Sequence, residues 1–256
     1  MKRTQFIIPI LLLLASCFQE EASTFHEGNL WKITSKNGTE SYIFGTVHLY
    51  PRSELKLSEN AIAILTECST LALERDVTNT FEQQKFMDFE MPKILTESYK
   101  VIISEYGNEL VTMENQLIKT AKDNGIRITG LETTDEILRI LTNLNEIEIP
   151  QANFEKDKML QAYQQSLKMY KKEQIKSFKD SLIFQMPKRM TKLIVDQRNR
   201  NWIDDLVGLV ENEPAFIAVG MGHLGGEQGL LQLLAAKGYK PIRMEIKNKP
   251  PNTVYN

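Results

Sequence analysis

Apolar residues fall into short runs bounded by turn residues and into longer stretches of helical spacing, and the two patterns alternate along the chain. Leu30-Trp-Lys-Ile-Thr34 and Ser41-Tyr-Ile-Phe44 read as strands joined across Asn37-Gly38, a dipeptide that favours a tight hairpin turn. A helix follows near 58–68, then a strand at Thr70–Leu73, then helical segments through about 79–123 that Asn124-Gly125 stops. Ile126–Leu131 reads as a strand, and helical spacing resumes near 134 and dominates to about 210. Pro214–Val219 is a strongly apolar strand, Glu227–Lys237 a helix stopped by Gly238, and Pro241–Ile246 a last strand. Strands alternating with helices predict an α/β fold, with a mixed central β-sheet flanked by helices and a helical insertion at about 140–190.

The first residues follow another pattern. Lys2-Arg3 precede an apolar stretch, Phe6–Leu14, interrupted only by Pro9. That stretch is too short to span a bilayer and reads as a signal peptide. It ends Leu14-Ala15-Ser16-Cys17, which resembles the lipobox of bacterial lipoproteins. On this reading residues 1–16 are removed, Cys17 carries the acyl chains, and several chains together give stable membrane anchoring. Residues 17–28 then form the lipidated N-terminus and tether, 29–249 the domain, and 250–256, with Pro250-Pro251, a tail. The expected location is the bacterial cell envelope, with the domain facing the periplasm or exterior. Cys17 and Cys68 are the only cysteines, so lipidation of the first leaves Cys68 alone, as a buried structural thiol between a helix and a strand.

Composition narrows the function classes. Hydrophobic residues make up 42% and charged residues 25%, which excludes disordered, collagen-like and polytopic membrane proteins. Lys plus Arg number 31 against 33 Asp plus Glu, a net charge of −2. Such a balance gives no footprint for nucleic acid.

Candidate chemistry gathers at strand ends. Two of the three histidines share one frame, Gly45-Thr-Val-His48 and Gly220-Met-Gly-His223, each directly after an apolar strand. Glu74 follows Leu71-Ala-Leu73, and Glu132 follows Ile128-Thr-Gly-Leu131. In open α/β sheets, sites collect outside the carboxyl ends of strands. If these strands are neighbours, two imidazoles and a carboxylate would meet with coordination positions left open, as a hydrolytic Zn²⁺ or Mn²⁺ centre requires. A second carboxylate would then act as general base. Each residue alone also has a plain structural reading, as a salt-bridge, cap or core partner.

The motifs together resemble the TraB/GumN family. Leu30-Trp-Lys, Ser41–His48, Ala72-Leu-Glu-Arg-Asp76, Gly130-Leu-Glu132, Arg198-Asn-Arg-Asn201, Ala215–Gly226 and Gly238-Tyr239 carry the resemblance, over about residues 29–246. It implies a fold similar to those of the Tiki metalloproteases, erythromycin esterases and haem-binding ChaN proteins. His48 and His223 match the family's two G-x-x-H histidines, with Gly45 and Gly220 as their glycines. Glu74 matches an acidic position of the Tiki site, as metal ligand or base, and Glu132 a position of less settled role. Arg198 and Asn199 match a motif on the helix before the second frame. Arg198 would clamp a substrate carboxylate, polarise a carbonyl, or hold Glu74 or Glu132 through a salt bridge. Asp76 would orient a ligand or cap the following helix. The implied activity is a metal-dependent hydrolase, with Mn or Zn, acting on a peptide or protein. The alternatives are an esterase-type hydrolase using His as base without metal, and a non-catalytic lipoprotein binding haem through His48 or His223.

Within the insertion, Lys168, Lys171, Lys172, Lys176 and Lys179 share a stretch with Leu167, Tyr170, Ile175 and Phe178. This predicts an amphipathic helix with a solvated lysine face, or more sharply a lid touching substrate or lipid. Met87, Met91, Met159, Met169, Met186 and Met190 fall in the same helical regions, as core packing or as an adaptable peptide surface. The lipobox reading gives the first prediction. Cys17→Ser should abolish lipid labelling and membrane partition without changing the fold, as fractionation and metabolic acyl labelling would read. A processed mutant that still sediments with membranes would overturn it.

Overall fold

The computed structural model describes residues 25–246. The expected signal segment, Cys17, the first part of the expected tether and the expected tail lie outside the described residues. Six strands form the central sheet: β1 (Leu30–Thr34), β2 (Glu40–Thr46), β4 (Thr70–Arg75), β6 (Arg127–Glu132), β7 (Ala215–Gly220) and β8 (Ile242–Met244). Two-residue strands β3 (Tyr50–Pro51) and β5 (Leu110–Val111) pair separately. The sheet order is β6-β4-β7-β2-β1-β8. The four strands from β6 to β2 are mutually parallel, whereas β1 pairs antiparallel with both β2 and β8. This is the mixed α/β architecture expected from the sequence.

The local chemistry explains the strands. Gly38 adopts φ +86° in the β1–β2 turn, a backbone that glycine takes without strain. Parallel strands covered on both faces read as continuous apolar runs, and Ala215–Val219 is buried throughout. Helices α1 (Glu59–Thr66) and α4 (Met113–Asp123) pack together against β4, β6 and β7. Helices α9 (Arg198–Asn212) and α10 (Leu230–Ala236) also pack together, α9 against β6. Between β4 and β5 run α2 (Thr80–Met87) and α3 (Lys93–Tyr106). After β6 come α5 (Thr134–Asn145), α6 (Lys156–Lys171), α7 (Ile175–Gln185) and α8 (Lys188–Thr191). Thr133 and Glu136 form a reciprocal capping box that starts α5 one residue after β6 ends, satisfying two otherwise orphaned donors.

Three expectations are corrected. The lysine stretch is not one solvated helix: α6 ends at Lys171, α7 begins at Ile175, and Glu173 turns the chain at φ +55°. Lys179 is 3% exposed and bonded to Asp196 at 2.5 Å, so its charge is paired inside, as a buried ammonium requires. The segment is also not a detachable lid. Leu167, Tyr170 and Ile175 belong to the main core. Tyr170 donates from its hydroxyl to the Gly45 carbonyl at 2.9 Å, and Tyr163 to the Leu49 carbonyl at 3.0 Å. Phe178 and Leu182 pack against Gly222. The insertion therefore braces the backbone of both histidine frames. Finally, residues 25–28, assigned to the tether, are docked. Phe25 packs edge-on against Trp31 at 5.3 Å, Lys176 donates from its amide to the His26 carbonyl, and Gly28 to that of Glu173.

Cys68 is buried, and burial pushes its thiol up to about 12, which fits a structural role. Of the six methionines named in the helical regions, Met159, Met169 and Met190 are core residues, while Met87 is 68% exposed.

Gly130 of β6 lies close against the backbone at the end of β4: a Cβ there would stand 2.5 Å from the Asp76 amide nitrogen. Gly130→Ala should lower stability by about 1–3 kcal/mol through forced backbone displacement, read by denaturant titration. An unchanged midpoint would show that the strand ends yield freely.

Candidate functional site

The carboxyl ends of the four parallel strands lie along one edge of the sheet. Thr46 of β2 is in register with Gly220 of β7, and Arg75 of β4 with Glu132 of β6. Glu74 accepts from the Gly220 amide at 2.7 Å, so β4 and β7 end in a side-chain bond. His48 leaves β2 two residues past its end, and His223 sits in a short 3₁₀ turn, Met221–His223, after β7. The structure thus brings together His48, Glu74, Glu132, His223, Arg198 and Asn199.

Arg198 lies at the centre, 8% exposed. Its Nε donates to Glu132 Oε2 at 3.1 Å, and its Nη2 to Glu132 Oε1 at 2.5 Å and to Glu74 Oε2 at 2.6 Å. Its Nη1 donates to the Ile194 carbonyl at 3.3 Å and faces His223 Nε2 at 3.5 Å. The guanidinium also stacks on Trp202, 4.5 Å from the ring centre, a favourable cation–π contact. Four of its five N–H groups have oxygen acceptors, and the fifth faces the His223 ring. Of the roles open from sequence, the salt bridge to Glu74 and Glu132 is the one this geometry forms.

Glu132 is filled in the same way. Both oxygens accept from Arg198, and Oε2 also accepts from Trp202 Nε1 at 3.1 Å. Burial outweighs these bonds and raises its pKa. Burial also works against the charge on Glu74, but Arg198, the two imidazoles and the Gly220 amide hold that carboxyl well below the usual range.

The two histidines differ. Asn199 Nδ2 donates to the carbonyls of His223 and Gln228, at 3.1 and 2.7 Å. Its Oδ1 is therefore the atom that faces His223 Nδ1 at 2.6 Å, and accepts the ring N–H. The lone pair of His223 is left on Nε2, 3.7 Å from Glu74 Oε1. Burial pushes the His223 pKa down to about 3, so the ring is neutral, and it lies 4.7 Å from the Trp202 ring. His48 stands at the open mouth, its side chain 55% exposed, with Nδ1 2.9 Å from Glu114 Oε1. The surrounding protein opposes its protonation, yet the charges of Glu114 and Glu74 prevail and raise its pKa to about 9.

Asp76 neither touches this cluster nor caps a helix. It accepts from the Thr78 amide and hydroxyl at 2.8 and 2.7 Å, and Asn79 caps α2. Trp202 and Glu114 belong to the site and were not singled out from sequence. Trp202 lies four residues after Arg198 on one helix, a spacing that places both on one face. Glu114 lies 66 residues from His48, and no local pattern links them. Tyr99 of α3 is also nearby: burial and the charges of Glu114 and Glu74 raise its phenol.

His48, Glu74 and His223 are residue types that ligate divalent cations. An added Cβ on Gly220 would stand 3.2 Å from Glu74 Oε1, 3.7 Å from His223 Cδ2 and 3.8 Å from His48 Nε2. These groups thus ring a space that glycine keeps clear. Three carboxylates (Glu74, Glu114, Glu132) against one guanidinium leave a formal −2 with both rings neutral. Among the described residues no three ligands stand ready-made around one point, so His48 would have to close in and give up its proton, as metal ligation demands.

No curated protein matches the chain. Residues 29–104 and 94–243 match the TraB/PrgY/gumN family, and the matched segments contain every strand that delivers a side chain to this edge. The chain belongs to the TraB/PrgY/gumN family.

Proposed function

We propose that the protein is a metal-dependent hydrolase of the bacterial cell envelope, anchored by lipid at Cys17 and acting on a peptide or protein. One observation carries the catalytic part of this reading. The rings of His48 and His223 and Glu74 Oε1 surround the bare α-carbon of Gly220, at an edge with excess negative charge. The matching ligands are His48, His223 and Glu74, a set that suits Zn²⁺ or Mn²⁺. A divalent ion held there would supply Lewis acidity, polarising a scissile carbonyl and acidifying water. The protein's own residues orient the ligands: Asn199 keeps the lone pair of His223 on Nε2, where an ion would take the place that Arg198 Nη1 faces at 3.5 Å, and Arg198 holds Glu74 by Oε2, leaving Oε1 toward the histidines.

Glu74 suits a ligand better than a base. A carboxyl held well below the usual range is a poor proton acceptor at neutral pH. Glu132 is fully bonded and acts by holding Arg198. Haem ligation by His223 is disfavoured, because Trp202 lies against its ring and Phe178 and Leu182 crowd the same turn.

Metal analysis of the purified protein, followed by single substitutions, tests this. His48→Ala and His223→Ala should each lose bound Mn or Zn and activity, and the double mutant should be little worse than either single, since groups acting as a unit are not additive. Glu74→Gln should lose metal as well. A Gln mutant that keeps stoichiometric metal but is inactive would make Glu74 the base, and full metal with wild-type turnover in both His mutants would end the metal reading.

Arg198→Ala should behave differently. It leaves Glu132 and Glu74 buried without their cation, and such a break costs about 3–5 kcal/mol. Loss of global stability in chemical denaturation is expected. Unaltered stability would mean that water replaces the guanidinium without penalty.

A further inference from the structure

His223 is fixed from several sides: Asn199 at Nδ1, Trp202 against the ring, and burial all round. His48 is not. More than half its side chain is exposed, and among the described residues Glu114 alone forms a hydrogen bond with its ring. A neutral imidazole carries its proton on either nitrogen, and the partner of one nitrogen decides which atom keeps the lone pair. A carboxylate has only acceptors to offer, so Glu114 requires a proton on Nδ1. Nε2 is then left facing Gly220 and Glu74.

Glu114 is itself well placed for this. It lies in the first turn of α4, where a negative charge is favoured, and its Oε1 accepts from the buried Thr46 hydroxyl at 2.9 Å. Thr46 belongs to the strand that carries His48, two residues earlier. The carboxylate is therefore tied both to its helix and to the frame of the ring it meets. We propose that Glu114 is a positioning residue, which sets the tautomer and orientation of His48 and so turns Nε2 into the site. The role deepens the metal reading above, but the tautomer can be read without any metal.

The chain has three histidines, so long-range ¹H–¹⁵N spectra of the imidazole rings resolve each one. In the metal-free full-length domain at about pH 10, where the rings are neutral, His48 should show a protonated Nδ1 and a bare Nε2. In Glu114→Ala the His48 nitrogens should shift to the averaged values of two tautomers, with the His223 pattern unchanged. Glu114→Gln, whose amide oxygen still accepts, should restore the wild-type pattern. Titration with Zn²⁺ alone should show affinity about 10- to 100-fold weaker for the Ala variant, the usual cost of removing a partner behind a ligating histidine. A wild-type His48 protonated at Nε2, an unchanged His48 in Glu114→Ala, or equal disturbance of His223 would each overturn the proposal. The wild-type measurement needs no variant to fold. If no form binds Zn²⁺ while the tautomer still follows residue 114, the positioning role stands and the metal reading falls.

Discussion

The guanidinium of Arg198 sits between carboxylates that two adjacent parallel strands deliver to the same edge. Two carboxylates side by side repel, and without a cation between them one would take up a proton. Arg198 supplies that cation from α9, with a fork whose geometry matches a carboxylate edge. Because Glu74 also takes the Gly220 amide, the same contact holds β4 to β7. Because α9 carries Asn199 next in sequence, it also fixes the ring of His223. Strand ends, helix and histidine turn are thus held by one charge-assisted network in which each member satisfies another.

The two histidines of the repeated frame do unequal work within that network. His223 is buried and neutral, its proton held by an amide that cannot ionise. His48 stands at the mouth beside a carboxylate and holds its proton to about pH 9. Environment, not residue type, separates them, and pairs of titratable groups pushed apart in this way are typical of sites that handle protons or ions. Exposure makes His48 the ring that can move, and burial makes His223 the fixed one.

Much of this was legible in the sequence because strand ends announce themselves. Ala215–Val219 and Leu71–Leu73 are apolar runs too short for helices, and the residues just past them, His223 and Glu74, emerge at the sheet edge by geometry alone. The hairpin at Asn37-Gly38 and the helix stop at Asn124-Gly125 rest on backbone preferences equally local. What escaped depends on distance. Glu114 meets His48 across 66 residues, and a first-turn glutamate looks the same whether it faces solvent or a histidine. Lys179 reads as one more surface lysine until α7 folds over the second frame and Asp196 meets it. The insertion reads as an appendage because its lysines are visible in sequence, whereas the contacts that make it part of the core, Tyr170 to Gly45 and Phe178 against Gly222, are not.

The helix that carries Arg198 shows how the placement is achieved. Between α8 and α9 the chain makes a six-residue π-helical segment, Lys192–Gln197, which ends immediately before Arg198. In an unbroken α-helix the Ile194 carbonyl would accept the Arg198 amide. Here that amide bonds to the Val195 carbonyl instead, and Ile194 accepts from the Arg198 side chain at 3.3 Å. A π segment takes one extra residue per turn, so it rotates everything beyond it by about 100° relative to a regular helix. Arg198, Asn199 and Trp202 rotate together, Arg198 and Trp202 toward the carboxylates of the strand ends and Asn199 toward the His223 turn. Straightening the segment would turn the guanidinium, the amide and the indole away from Glu132 and His223 at once. Segment and side chain are therefore tied together: the Ile194 carbonyl within the segment accepts from the Arg198 side chain that the segment aims, and that side chain pairs with the two carboxylates at the strand ends.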